Sequence, residues 1–371
     1  MKNNFSYQLI LPAALLSATI IGAGIFALPF VFQKAGLIAG FFYLLIFSAV
    51  FVFIHLRYAD IISKTAENHR FAGYAETYLG KSGKWLAILM TIVGMLFTLT
   101  VYLIISKSFI DIFFPSLVDA YKILAFWFLG SLAIFLGIKR LAISEFLITF
   151  GIGAIILVIF VFGSNNLGQT ISSVPFFNLE YIFLPYGVIL FALSGRAAIP
   201  AVLGYFRNNN LPPNGIKPSI ILGTLFPAFI YAVFVLAILN LSGGIVSQDS
   251  VSGLIGRLPF WILEILGILG IISLWSSYIV IGRDVKKSLG YDLNLPKLLI
   301  ALIVIFAPVI LYFSGFQNFL KLVGLTGGIF MGLEGIFIVL MRQKAIQKKT
   351  LLDYVLLVIF IGGVIYSIIY K

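Results

Sequence analysis

The chain has 371 residues, of which 61% are hydrophobic and 10% charged, with a formal net charge of +12 and no cysteine. Water-soluble domains run at about 45–50% apolar and about 25% charged, so most of this surface must be solvated by lipid. Disulfide, thiolate-metal and cysteine-nucleophile chemistry is excluded, and two histidines, His55 and His69, are poor material for a metal cluster.

Lys2 precedes an apolar stretch that is about twice the length of a signal-peptide core and has no small-x-small cleavage pattern, so it reads as a first membrane helix. A bilayer core about 30 Å thick takes roughly 20 apolar residues per helix. Segments meeting that requirement lie near 9–32, 36–57, 85–110, 121–138, 141–163, 181–205, 217–241, 260–282, 296–314, 317–341 and 351–370. The expected architecture is therefore all-α, with 11 transmembrane helices in one membrane domain. The longest connections, 58–84, 164–180 and 242–259, are too short to hold a soluble domain. Gly163-Ser164-Asn165-Asn166 and Asn208-Asn209-Asn210-Leu211-Pro212-Pro213 mark turns where the backbone leaves the hydrocarbon.

With the N-terminus placed in the cytoplasm, eighteen Lys and Arg fall on the inner side and five on the outer, with Arg196 and Lys321 inside spans. That skew predicts a multi-pass cell-membrane protein with a cytoplasmic N-terminus and an external C-terminus. It also makes the positive charge an insertion signal and not a nucleic-acid surface.

Two spans are interrupted by glycine and proline. The first carries Gly22-Ala23-Gly24-Ile25-Phe26-Ala27-Leu28-Pro29, and the sixth carries Phe191-Ala192-Leu193-Ser194-Gly195-Arg196-Ala197-Ala198-Ile199-Pro200. Both contain glycine, two residues, alanine, a branched aliphatic residue and proline. An odd number of spans separates their starts, so the second copy runs in the opposite direction. A weak inverted repeat built on broken helices points to a transporter binding site. A break in mid-membrane leaves N–H and C=O groups without helical partners, which is tolerated only against protein, ligand or water. A half-helix N-terminus suits a carboxylate, and a facing C-terminus offers carbonyls to an ammonium group or a cation. Together they suit an α-amino acid zwitterion. The alternative is that Gly and Pro here serve close helix packing alone.

The first motif, and the segment from Leu184-Pro185-Tyr186 to Ile199-Pro200, resemble the first and sixth helices of the amino acid/auxin permease family; bacterial aromatic amino acid permeases are a close second match. The resemblance implies the LeuT-like fold, with inverted five-helix repeats at about 9–163 and 181–341, discontinuous helices one and six, and an extra helix at 351–370. It implies substrate contact at Ala23, Gly24, Ile25, Ala192, Ser194 and Gly195, positions the half-helix argument also selects. Tyr102 and Phe191 are candidate aromatic walls, although in a chain with 17 Tyr and 37 Phe packing or lipid contact is the commoner account of any one of them.

Arg196 sits beside the second break, where a charge costs roughly 2.5–3.5 kcal/mol on insertion scales. It can pair with a substrate carboxylate, pair with Glu334, or stand where relatives hold a cation; the alternative is a side chain snorkelling to water. Ser273 lies three and four residues from Ser276 and Ser277 and can share a helix face with either; the resemblance sets such hydroxyls against carbonyls, here of Ala18 and Ile21, around a sodium ion, the alternative being serines that pack or bond their own backbone. Glu334 is a candidate proton carrier or an inner-leaflet residue. No cofactor is expected beyond Na+ or H+ as coupling ion.

No nucleophile elbow, phosphate loop or metal-binding spacing occurs, so an enzyme is not expected. The leading expectation is cation-coupled symport of a neutral or aromatic amino acid by alternating access, in a protein functional as a monomer in the lipid bilayer. The alternative is an amino-acid-sensing receptor subunit of the same superfamily, similar to germinant receptors.

Overall fold

The structure, a computed structural model, describes residues 6–67, 69–136, 141–163, 174–242 and 245–369, with backbone alone described for 6, 7 and 141–150. Ser164, Asn165 and Asn166, Lys2, Lys139, Arg140 and Lys371, used above, lie outside the described residues. In chain order the α-helices are α1 (Leu11–Ile20), α2 (Leu28–Ala35), α3 (Leu37–Lys64), α4 (Phe71–Ile110), α5 (Asp119–Leu136), α6 (Leu141–Gly163), α7 (Leu184–Leu193), α8 (Ile199–Asn208), α9 (Ile216–Leu241), α10 (Phe260–Tyr291), α11 (Lys297–Phe313), α12 (Phe319–Leu325), α13 (Gly332–Ile346) and α14 (Leu351–Ile369). A π-helical stretch, Thr326–Met331, joins α12 to α13.

Among the described residues, eight helices are long and apolar enough to cross a bilayer, or nine when the pair Gln8–Ile20 and Ala23–Ala35, bent by 54°, is taken as one span. Gly151–Phe162 and Lys297–Phe313 are shorter apolar helices. This is an all-helical membrane protein.

Several helices outrun the hydrocarbon. At 1.5 Å per residue, the 28 residues of α3, 40 of α4 and 32 of α10 reach about 42, 60 and 48 Å, against a core of about 30 Å. The stretch 58–84, read above as a connection between spans, is largely helical: α3 continues to Lys64 and α4 already starts at Phe71, with a non-helical kink at Gly80. Phe71, Ala72, Tyr74 and Ala75 of that first segment are buried. Likewise α10 continues nine residues past the expected end at 282. Charge ends a hydropathy signal without ending a helix, and these extensions set buried apolar residues such as Ile61, Val285 and Leu289 beside exposed polar ones such as Lys64 and Lys287.

The helices form two groups. In one, α9 packs on α1, α2 and α3, while α7 packs on α2 and α3; in the other, α4 packs on α5, α10 and α11. Helix α6 touches both groups through α9 and α10, and α13 touches both through α3 and α4. The site lies between them. The α3–α4 turn and the α4–α5 turn mark its opposite ends, because α4 runs from one to the other.

Candidate functional site

The two breaks are built alike. Helix α1 ends at Ile20, Ile21 turns out of the helix with ψ of 97°, Gly22 is extended, and Ala23–Ala27 form a 3-10 turn. Helix α2 then restarts at Leu28 with Pro29 in its first turn, where a missing N–H costs nothing. Helix α7 ends at Leu193, Ser194 turns out with ψ of 118°, Gly195 follows, and Arg196–Ala198 form a 3-10 turn. Helix α8 restarts at Ile199 with Pro200 in the matching place. The breaks touch backbone to backbone: a Cβ on Gly24 would lie 2.6 Å from Ala192 Cα, closer than any real side chain allows. Farther along, a Cβ on Gly327 would lie 1.8 Å from Gly187 O, so the π stretch leans directly on α7 and sets the course of α13.

Helix ends leave carbonyls without intrahelical partners, and one side chain serves both breaks. The Tyr231 hydroxyl of α9, fully buried, lies 2.7 Å from Ile20 O and 2.8 Å from Ala192 O. It has one proton to donate, so the two carbonyls share it. Tyr231 thereby staples the two helix ends together.

Arg196 and Glu334 meet across the second break. Arg196 donates from Nε to Glu334 Oε2 at 2.8 Å and from Nη2 to Oε1 at 2.7 Å, a bidentate pair of the strongest kind. Its guanidinium carbon sits 4.4 Å from the Phe71 ring centroid and 5.9 Å from that of Tyr58. Of the partners considered for Arg196, the structure selects Glu334. Ser194 Oγ donates to Met331 Sδ at 3.3 Å, a second link from this break to the π stretch.

A cavity of about 600 Å³ runs from the breaks to the α3–α4 end. Its walls include Ala18, Ile21, Ala23, Gly24, Tyr102, Phe191, Ser194, Gly195, Arg196, Ser273, Ser276, Ser277 and Glu334, so thirteen of the candidates drawn from sequence line one space. Ile25 and Ala192 do not: Ile25 is packed in the core, and Ala192 presents its carbonyl to Tyr231. Ser273, Ser276 and Ser277 of α10 and Ala18 and Ile21 of α1 line the same cavity. Two carbonyls of a helix end and a row of hydroxyls are hard oxygen donors, the type a sodium ion takes. Among the described residues, no group of three or more His, Asp or Glu is placed to hold a metal ion.

Sequence reasoning missed Tyr231, and it missed the mouth. There His69, Arg70, Asp284, Lys287, Tyr291 and Asp292 line the opening. Burial holds the Asp292 carboxyl above the usual carboxylate range, with Arg70 and Lys84 pulling the other way. Nothing local marks Tyr231, whose partners lie 211 and 39 residues away.

A family model described as transmembrane amino acid transporter protein matches residues 12–238. This chain belongs to that family. Among relatives of this amino acid transporter is "Glutamine transporter 2" of Aliivibrio fischeri, 22% identical over 354 residues, covering 93% of this chain and 90% of that one. Among solved structures, MhsT in complex with L-phenylalanine superposes with a TM-score of 0.69 at 12% identity, covering 99% of this chain and 98% of that one. Mhp1, a nucleobase-cation-symport-1 family transporter, gives a TM-score of 0.64 at 14% identity, covering 97% and 90%. The transporter therefore has the LeuT-like fold, and its family is one of transporters, not of enzymes.

Proposed function

We propose that this transporter is a sodium-coupled symporter that carries a neutral or aromatic amino acid inward by alternating access. The observation that carries the reading is the pair of helix breaks set back to back at the blind end of one cavity. Its volume of about 600 Å³ lies within the range of small-molecule sites, about 300–1,000 Å³. The N-terminal ends of α2 and α8 would receive the substrate carboxylate, and the carbonyl ends of α1 and α7 its ammonium. The names attached to similar proteins, a glutamine transporter and a protein holding L-phenylalanine, support uncharged substrates.

The chain on this reading crosses the membrane eleven times as one domain, with inverted repeats at about 9–163 and 181–341 and a further helix at 351–370. The like anatomy of the two breaks supports that repeat. The charge skew supports a cytoplasmic N-terminus and an external C-terminus, which turns the mouth toward the cytoplasm. The group holding α1 and α7 would rock against the group holding α4 and α10, exposing the site to each side in turn, in a protein that works as a monomer.

Sodium is favoured over the proton for two reasons. Ser273, Ser276 and Ser277 share the cavity wall with Ala18 and Ile21, and Glu334 is already engaged by Arg196, which leaves it a poor free carrier. An ion and a zwitterion that together satisfy both breaks favour the closed form more than either alone. The test is uptake of a radiolabelled amino-acid mixture into proteoliposomes under separately imposed sodium and pH gradients. Accumulation driven by sodium is the expected result. Accumulation driven by protons alone overturns the ion, and binding without any gradient-driven uptake overturns transport in favour of a sensor.

A further inference from the structure

The blind end of the cavity holds two opposite charges, Arg196 and Glu334, with side chains 16% and 11% exposed. The other charged residues of the lining, Arg70, Asp284, Lys287 and Asp292, belong to the mouth. Both oxygens of Glu334 accept from Arg196, and the guanidinium is further held over Phe71. The two charges therefore cancel in place, and the site offers its guest no net charge.

Buried pairs of this kind have an asymmetric property. An intact pair is close to neutral in its effect, while removal of one partner leaves an uncompensated charge in a poorly solvated place. A guest whose side chain carries a charge faces the same asymmetry: it must enter unpaired or part the two residues. We propose that the Arg196–Glu334 pair is the charge-selectivity filter of this cavity, excluding amino acids with acidic or basic side chains because each member already neutralises the other. The proposal rests on the transport reading above and names the residues that set its substrate class. Specificity here is rejection as much as attraction.

The filter can be inverted by single substitutions that preserve shape. Glu334→Gln keeps an oxygen acceptor for Arg196 but frees its positive charge, so an acidic side chain becomes the missing partner. Arg196→Gln frees the carboxylate of Glu334 and invites a basic side chain. Joining both changes removes both charges and restores a neutral site. The experiment is competition by unlabelled L-glutamate, L-lysine and L-glutamine against uptake of radiolabelled L-glutamine and L-phenylalanine into proteoliposomes.

In the Glu334→Gln protein, L-glutamate is expected to compete at a concentration at least about tenfold lower than in the wild type, with L-lysine unchanged. Arg196→Gln is expected to show the same gain for L-lysine alone. The double variant is expected to lose both gains, with L-glutamate and L-lysine competing no better against the neutral pair than in the wild type, an outcome that a merely structural role for either residue does not produce. Single variants that take up neutral amino acids and still exclude L-glutamate and L-lysine as the wild type does overturn the proposal. Where one single variant fails to insert, the other decides alone. A wild-type protein that takes up no amino acid in any gradient counts against the transport reading and not against the filter.

Discussion

The two ends of the cavity are closed by different physics. Toward the α4–α5 end, Phe26 of the first break meets Phe109 of α4 and Phe234 of α9 edge to face, with centroids 5.1 and 5.8 Å apart, and all three are buried. The loop beyond them is pinned on two sides. Val246 N–H donates to Gln33 Oε1 at 3.3 Å, and Ser108 Oγ donates to Asp249, whose other oxygen accepts from Ser247 and Ser252 hydroxyls at 2.7 Å. Lys122, buried to 2% side-chain exposure, pairs with Asp111. At the α3–α4 end Arg70 Nη2 reaches Asp284 twice, donating to its backbone carbonyl at 3.3 Å and lying 3.7 Å from Oδ1, between side chains about one-third exposed. Dry aromatic packing is worth several kcal/mol per residue, whereas an exposed ion pair is worth about 0–1 kcal/mol. The difference teaches which way the molecule gives: the wet end can part and re-form cheaply, and the dry end must be broken as a unit.

The largest expected effect breaks the dry end. Phe109→Ala should cost about 3–5 kcal/mol and breach the seal. Because the chain has no cysteine, a single cysteine replacing Ala23 reports access directly. It should resist a membrane-impermeant thiol reagent applied from the α4–α5 side in the parent and react in the Phe109→Ala background. Continued protection would show that Phe109 is not the closure. Next in size is the staple between the ends. Tyr231→Phe leaves two buried carbonyls short of a donor, a loss of about 1–3 kcal/mol, readable as a lower melting temperature with slower uptake. Unchanged stability would mean that solvent or the helices themselves satisfy Ile20 O and Ala192 O.

The wet end should respond weakly. Arg70→Ala is expected to change stability by about 1 kcal/mol or less while accelerating release of substrate toward that side, measured as efflux from preloaded vesicles. A loss as large as that of Phe109→Ala would erase the contrast between the ends. Smallest is Asp292→Asn, at about 0.5 kcal/mol or less. The folded Asp292 carboxyl lies above its ordinary range because burial disfavours its charge. Its contribution is therefore greatest when protonated, below the ordinary range near 4, and falls as pH rises through that range toward the folded value. The variant should be slightly more stable than the wild type at neutral pH, and the gap should close on acidification. A gap that widens in acid would reverse the sign.

The broken helices were legible because glycine and proline at Gly22, Gly24, Pro29, Gly195 and Pro200 act locally, and a local signal survives in one dimension. Arg196 with Glu334 was legible as one option among several, because a charge inside a span requires some partner while its spacing does not name which. Tyr231 was not legible. One hydroxyl among seventeen tyrosines acquires its role only when α9 is laid across two helix ends. The mouth was misread for another reason: the positions around His69, Arg70 and Asp292 are polar, so hydropathy ends there, yet α4 and α10 carry helix to its rim. Hydropathy reports the solvent a residue meets, and helix is a property of the backbone.

The contact of Gly24 with the Cα of Ala192 also constrains how this protein can drift. Gly24 has no atom to give up, and Ala192 can yield only a methyl group. Neither position can accept a larger residue by compensation at the other, so the two halves of the chain are tied in composition at this point. Change in the cavity among descendants is therefore expected around the contact, at lining residues such as Tyr102, Met331, Arg196 and Glu334, with the crossing itself left as a fixed point.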